Sequence, residues 1–184
     1  MPKLCVIRHP KAQVKMQKLF SGRIFADHYQ FYISDAEADL LEQSLDWMAE
    51  AHARRGYISN GRTVYLGTRA HLNAYWLTVY LSDFQPHFDD CERVLVFNIA
   101  IESGQLVIAS PIEDIALIDI PTGHYVVYIL ADNLGVDQLS LNEADEDLND
   151  AEFEQRTDFE RYTVVLITGR FEYEGVLKGQ KTLY

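Results

Sequence analysis

Arg93-Val94-Leu95-Val96-Phe97 opens, and Val126-Val127-Tyr128-Ile129-Leu130 closes, the stretch of sequence that decides the fold. Between them the chain reads strand, turn at Glu102-Ser103-Gly104-Gln105, strand, loop, strand over 115–120, turn at Pro121-Thr122-Gly123, and strand over 124–130. Gly and Pro stand where reversals of direction need them. The two flanking runs lack the strict alternation of a half-buried strand, which is the pattern of central strands covered on both faces.

Outside this stretch, strands are expected over 24–33, 63–66, 75–81 and 162–168, where β-branched and aromatic residues concentrate. One helix is expected. Ser34 and Glu37 form an S-x-x-E capping box, with Asp35 and Asp39 also in the first turn. Leu41, Leu45, Met48 and His52 recur at helical spacing, and Gly56 stands after Arg54-Arg55 as a stop. The expectation is a mainly β fold: an antiparallel β-sandwich of about eight strands with one amphipathic α-helix packed on it. A single domain is expected over 1–184, long enough to bury a core without disulfides or metals.

Charge divides the chain unevenly. The net charge is −12, which argues against a bulk nucleic-acid binder, because neutralising phosphates requires a basic surface. Residues 1–23 hold six basic residues (Lys3, Arg8, Lys11, Lys15, Lys18, Arg23) and no acidic one, which suggests a basic N-terminal arm. Residues 137–160 hold ten Asp or Glu and a single base, Arg156, so this segment alone carries −9. A long acidic insertion of this kind is a functional segment or a solvating one. Cys5 and Cys91 match no metal spacing, no signal peptide is read at the start, and no run of 18 apolar residues exists to span a membrane. A cytoplasmic protein of reduced thiols is expected.

Catalytic vocabulary is sparse. Arg8-His9 after an apolar run resembles the opening of the histidine phosphatases, with Arg69 and His124 as candidate partners. Pro10 replaces the small residue expected after the His, and His124 enters a strand rather than a loop or helix. Asp145, Asp147 and Asn149 match the first three positions of an EF-hand loop, but Asp150 and Arg156 stand where Gly and Glu are required. His87-Phe88-Asp89-Asp90-Cys91-Glu92 gathers metal-ligating types in one local segment, without the ligands from other elements that a site needs. No G-x-S-x-G elbow and no phosphate-cradling glycine loop is present. No catalytic residue, metal or cofactor is assigned. A small-ligand module remains as an alternative, with Tyr75, Trp76 and Tyr80 lining a pocket.

Four stretches carry a resemblance when taken in order. They are Asp27-His28-Tyr29-Gln30-Phe31-Tyr32-Ile33-Ser34-Asp35; Arg55-Gly56-Tyr57-Ile58 ahead of Gly61-Arg62-Thr63-Val64-Tyr65; Arg93 to Phe97 with Gly104-Gln105-Leu106-Val107-Ile108-Ala109-Ser110; and Ile118-Asp119-Ile120-Pro121-Thr122-Gly123-His124-Tyr125. Together they resemble the competence-protein-J family, bacterial inhibitors of a DNA-uptake nuclease, and related immunity proteins. The resemblance implies a non-enzymatic protein that binds and blocks a nuclease or toxin. It transfers no inhibitory residue position by position. The candidate contact surface comes instead from charge: Asp145, Glu146, Asp147, Asp150, Glu152 and Glu154, facing a basic protein partner. Neither nucleic acid nor a membrane is expected as a partner.

Overall fold

The computed structural model describes residues 15–26, 30–38, 54–69, 73–111, 114–136 and 149–181. Among them are eleven strands in two sheets: β1 (Met16–Ala26), β2 (Gln30–Asp35), β3 (Tyr57–Ser59), β4 (Thr63–Gly67), β5 (Asn73–Ser82), β6 (Arg93–Ile101), β7 (Gln105–Ala109), β8 (Asp114–Asp119), β9 (Gly123–Asp132), β10 (Arg161–Thr168) and β11 (Gly175–Lys178). The larger sheet runs β1-β5-β10-β9-β6-β11 and the smaller β3-β4-β2-β7-β8. All pairings are antiparallel except β5 with β10.

The mainly β expectation holds, but the count of eight strands is too low. β3 and β11 are short and carry little pattern. Most of β1 falls in the stretch expected as a basic arm, because Lys18 and Arg23 mask an apolar alternation of Phe20, Gly22 and Ile24. Charged residues are common on edge strands, where they discourage pairing with other chains, and β1 is an edge.

The deciding stretch folds differently from a run of hairpins. β6 and β9 pair with each other in the larger sheet, with Arg93 opposite Ala131 and Ile101 opposite Gly123. The two strands between them leave that sheet and pair in the smaller one, Leu106 opposite Ile118. Both turns are therefore crossings between sheets. The Pro-x-Gly-x-Tyr crossing is fixed by the Tyr125 hydroxyl, which donates to the Pro121 carbonyl at 2.5 Å, a corner common in β-folds.

β6 and β9 are buried on both faces, as their sequence requires. Leu95, Phe97, Ile99, Val127 and Ile129 join Phe31, Ile33, Val64, Leu66, Leu106 and Ile108 of the smaller sheet in one core. Val94, Val96, Val126, Tyr128 and Leu130 form a second layer on the opposite face, packed against Phe88, Cys91 and Leu177. Burial of each large apolar side chain contributes about 1.5–3 kcal/mol.

The expected helix needs correction at its start. Ser34 and Asp35 belong to β2 rather than to a first helical turn. The Ser34 hydroxyl donates to the Asp35 carbonyl at 2.7 Å and lies 3.0 Å from the Thr63 hydroxyl. The same letters serve a strand end because Asp35 bonds across the fold rather than along a helix. Residues 39–53, the body of the expected helix, lie outside the described residues. Arg54 and Arg55 are helical, and Gly56 ends that turn at φ +73, a left-handed conformation natural to glycine.

Candidate partner-binding surface

Pairing registers give the larger sheet two ends. At one lie Ala26, Asn73, Arg161, Asp132 and Arg93; at the other lie Met16, Ser82, Thr168, Gly123 and Ile101. They are called the Arg161 end and the Thr168 end. Across the eight residues of β10 they are about 23 Å apart.

The acidic insertion returns to the fold at the Arg161 end. Asp145, Glu146 and Asp147 lie outside the described residues. Asp150, Glu152 and Glu154 fall on a short helix, α1 (Asp150–Glu154). Asn149 caps it: its side chain accepts from the Glu152 N–H at 3.1 Å, while the Glu152 carboxylate accepts from the Asn149 N–H at 3.1 Å. This Asn-x-x-Glu box was present in the sequence and is a capping box of the ordinary kind. The EF-hand letters Asn149 and Asp150 thus serve a helix start.

Phe153 is the one buried residue of α1. It stacks on Phe159 with centroids 4.3 Å apart and packs on Trp76 of β5 at 6.1 Å. The Arg23 guanidinium lies over the Phe153 ring at 4.0 Å. Arg161 donates to the Glu154 and Arg156 carbonyls at 2.8 and 2.6 Å, tying the end of α1 to β10. The Arg156 guanidinium grips Asp158 and holds its carboxyl below the usual value. An aromatic clamp thus fixes the helix and leaves the Asp150, Glu152 and Glu154 side chains in solvent. Arg23 approaches Asp150 only at 4.0 Å, and that carboxylate is largely exposed. Phe153→Ala is expected to cost about 3 kcal/mol, by loss of its burial and the cavity left behind. It should also make the 149–160 segment the first site of cleavage in limited proteolysis; an unchanged midpoint and cleavage pattern would contradict the clamp.

The other candidates do not assemble. Arg8 and His9 lie outside the described residues, while Arg69 and His124 sit at opposite ends of the fold. Arg69 bonds Gln180 at 3.2 Å, and His124 packs against Arg170 at 2.9 Å. Tyr75 is buried in the core between Phe31 and Tyr162, whereas Trp76 faces the other side of β5 toward Phe153, and Tyr80 joins the outer layer. They line no common pocket. In the 87–92 segment His87 pairs with Asp89 at 3.1 Å, and no group of three His, Cys, Asp or Glu among the described residues is placed to hold a metal. Among those residues no helix is long and apolar enough to cross a membrane.

Two buried carboxylates went unread in the sequence. Asp35 accepts from the Arg62 guanidinium at 2.6 Å, the N–H groups of Glu37, Glu102 and Ser103 at 3.0, 2.7 and 2.9 Å, and the Ser103 hydroxyl at 2.9 Å. Burial pushes this carboxyl's pKa up, but the hydrogen bonds from Ser103, Arg62 and Glu102 outweigh burial and hold it at about 2. Glu160, fully buried, accepts from the N–H groups of Arg69 and Gly135 at 2.9 Å and from the Tyr162 hydroxyl at 2.6 Å. Burial and the Glu160 charge push the Tyr162 hydroxyl well above its ordinary value, so it remains a donor. Both carboxylates serve the scaffold.

Comparison with known proteins gives the chain its relatives. No curated protein matches the sequence. Two solved structures share the fold. One is the crystal structure of ComJ, inhibitor of the DNA degrading activity of NucA, from Bacillus subtilis: it is 9% identical, covers 84% of this chain and 99% of its own, and superposes with a TM-score of 0.55. The other is described as Crocagin biosynthetic gene J: it is 15% identical, covers 85% of this chain and 99% of its own, and has a TM-score of 0.55. The sequence model of the family described as Competence protein J (ComJ) matches residues 23–158, from β1 to the acidic segment. The chain therefore belongs to the ComJ family.

Proposed function

We propose that this protein is a non-enzymatic inhibitor, or immunity protein, that binds and blocks a nuclease-like toxin. The observation that carries the reading is family membership across residues 23–158, in a family whose Bacillus subtilis member inhibits the DNA-degrading activity of NucA. The partner is a basic protein, since an enzyme that grips DNA presents cations to phosphate. Asp145, Glu146, Asp147, Asp150, Glu152 and Glu154 are assigned as the contacts with that surface. The clamp around Phe153 supports this for Asp150, Glu152 and Glu154, whose side chains it leaves in solvent.

Neutralising all six residues to Asn or Gln removes half of the net charge of −12. Association with a NucA-type nuclease is then expected to slow by about tenfold at 10 mM salt, where charge acts over about 30 Å. At 0.5 M salt the two rates should converge. Stopped-flow association rates for the six-fold variant equal to wild type at low salt would remove the acidic segment from the contact.

A further inference from the structure

Arg93 opens β6 at the Arg161 end and is 4% exposed. The registers place Leu77, Tyr162, Ala131 and Arg93 in one row across the larger sheet. Leu77, Tyr162 and Ala131 belong to the core shared by the two sheets. Val94, next along β6, faces the outer layer, so the Arg93 side chain enters the space between the sheets. A guanidinium carries five N–H donors and no acceptor. Arg93 makes one hydrogen bond, from Nη2 to the Arg55 carbonyl at 2.5 Å, and its Nε–H is buried and unpaired. Among the described residues no carboxylate lies within 4.0 Å of it. Glu160, the buried carboxylate of this end, spends its oxygens on the Arg69 and Gly135 N–H groups and the Tyr162 hydroxyl. The groups acting on the Arg93 charge are the Tyr162 and Tyr57 hydroxyls and a second cation, Arg69. Burial holds the Arg93 pKa below its ordinary value; the two tyrosines oppose that shift and Arg69 adds to it. The Tyr75 hydroxyl, on a ring 5.3 Å from that of Tyr162, is fully buried and also has no partner.

Buried arginines are ordinarily paired, because a charge taken out of water without a partner is among the most costly groups a fold can hold. We propose that Arg93 is the centre of a binding site for a small carboxylate anion, seated between the two sheets at the Arg161 end. The ligand class follows from the donor set. Arg93 offers N–H groups and positive charge, so its ligand must bring acceptors and negative charge. A planar carboxylate meets the planar guanidinium fork with parallel N–H···O bonds. Arg69 and Arg55 stand on the same side, the latter 5.7 Å from the Tyr57 ring, and add charge of the same sign. When filled, the site strengthens the joint that Arg93 makes between the turn before β3 and the start of β6. It makes no use of the acidic segment, so it stands or falls apart from the inhibitor reading.

The test is thermal unfolding of the full chain in sodium formate against sodium chloride at equal ionic strength. Formate is expected to raise the wild-type melting temperature saturably, by about 3 °C over chloride. Arg93→Met keeps most of the side-chain length without the charge and should show no such rise. Arg93→Lys, which keeps a charge without the fork, should show a smaller one. A wild type that melts at the same temperature in both salts throughout the titration would overturn the proposal. An equal rise in wild type and Arg93→Met would place the effect of formate elsewhere and overturn it as well. Should Arg93→Met fail to fold, the wild-type arginine Nε–H resonances decide the matter by NMR. Formate should then shift the signal that is missing from the Arg93→Lys spectrum, and a signal that stays in place would overturn the site.

Discussion

Asp35→Ala is expected to lower the unfolding free energy by about 3–5 kcal/mol, the usual result of removing one partner of a buried charged cluster. The residue lies at the end of β2 and is 1% exposed. It joins three segments: its own strand, the turn carrying Arg62, and the β6–β7 crossing at Glu102 and Ser103. Deleting the carboxylate leaves those N–H groups unpaired at a cost of about 1–3 kcal/mol each, offset where water reaches the half-exposed Arg62. For a chain of this size the melting temperature should fall by about 10 °C. Asp35→Asn keeps one acceptor oxygen and is expected to lose about half as much.

Acid distinguishes this cluster from an ordinary packing defect. The folded-state pKa of about 2 lies below the ordinary value of 3.8, so the ionised form favours folding. Such a group stabilises fully above its unfolded pKa and ceases to do so as pH falls through the folded one. The contribution is about 2 kcal/mol at neutral pH and is lost between about pH 4 and pH 2. The stability gap between wild type and Asp35→Asn should narrow by that amount on acidification. A gap that stays constant from pH 7 to pH 2.5 would contradict a cluster held by charge.

Glu160→Ala is expected to cost a similar 3–5 kcal/mol at the opposite end of the molecule. Its carboxylate joins the segment after β4 through Arg69, the segment after β9 through Gly135, and β10 through Tyr162. Gln can keep both backbone N–H groups on its amide oxygen, because Oε1 accepts from both, but it turns an amide N–H toward the Tyr162 hydroxyl that donates to Oε2. Glu160→Gln should therefore lose about half of the same stability, whereas Tyr162→Phe, which deletes a single bond, should lose about 1 kcal/mol. Gly135 belongs to the same arrangement: it sits at φ +75, and a Cβ there would meet Arg69 Cδ at 3.1 Å. Equilibrium denaturation measures all three variants. Glu160→Ala as stable as wild type would mean that backbone N–H groups do not hold this carboxylate.

The sequence disclosed strands where burial alone sets the pattern, and hid those parts that depend on distant partners. Val94 to Phe97 and Val126 to Leu130 are legible because a strand covered on both faces can contain little else. Which strands pair is not legible: Glu102-Ser103-Gly104 reads the same in a hairpin as in a crossing between sheets. Asp35 reads as a helix-start acid because its partners Arg62, Glu102 and Ser103 are far away in sequence. Glu160 reads as one more solvated acid, although Phe159 beside it is buried, and Phe153 inside the acidic run is the available sign of docking. Phe171, after β10, meets Asn98 of β6 only in the fold, 73 residues away in sequence.

A buried carboxylate braces the fold at each end, with acidic side chains displayed in solvent at one of them. The protein is expected to bind and silence a nuclease. The direct measurement is DNA degradation by a fixed amount of NucA titrated with the purified protein. Activity is expected to fall in proportion to added protein and vanish at a fixed molar ratio, with no DNA cleavage by the protein alone. Full nuclease activity in the presence of a large molar excess would contradict it.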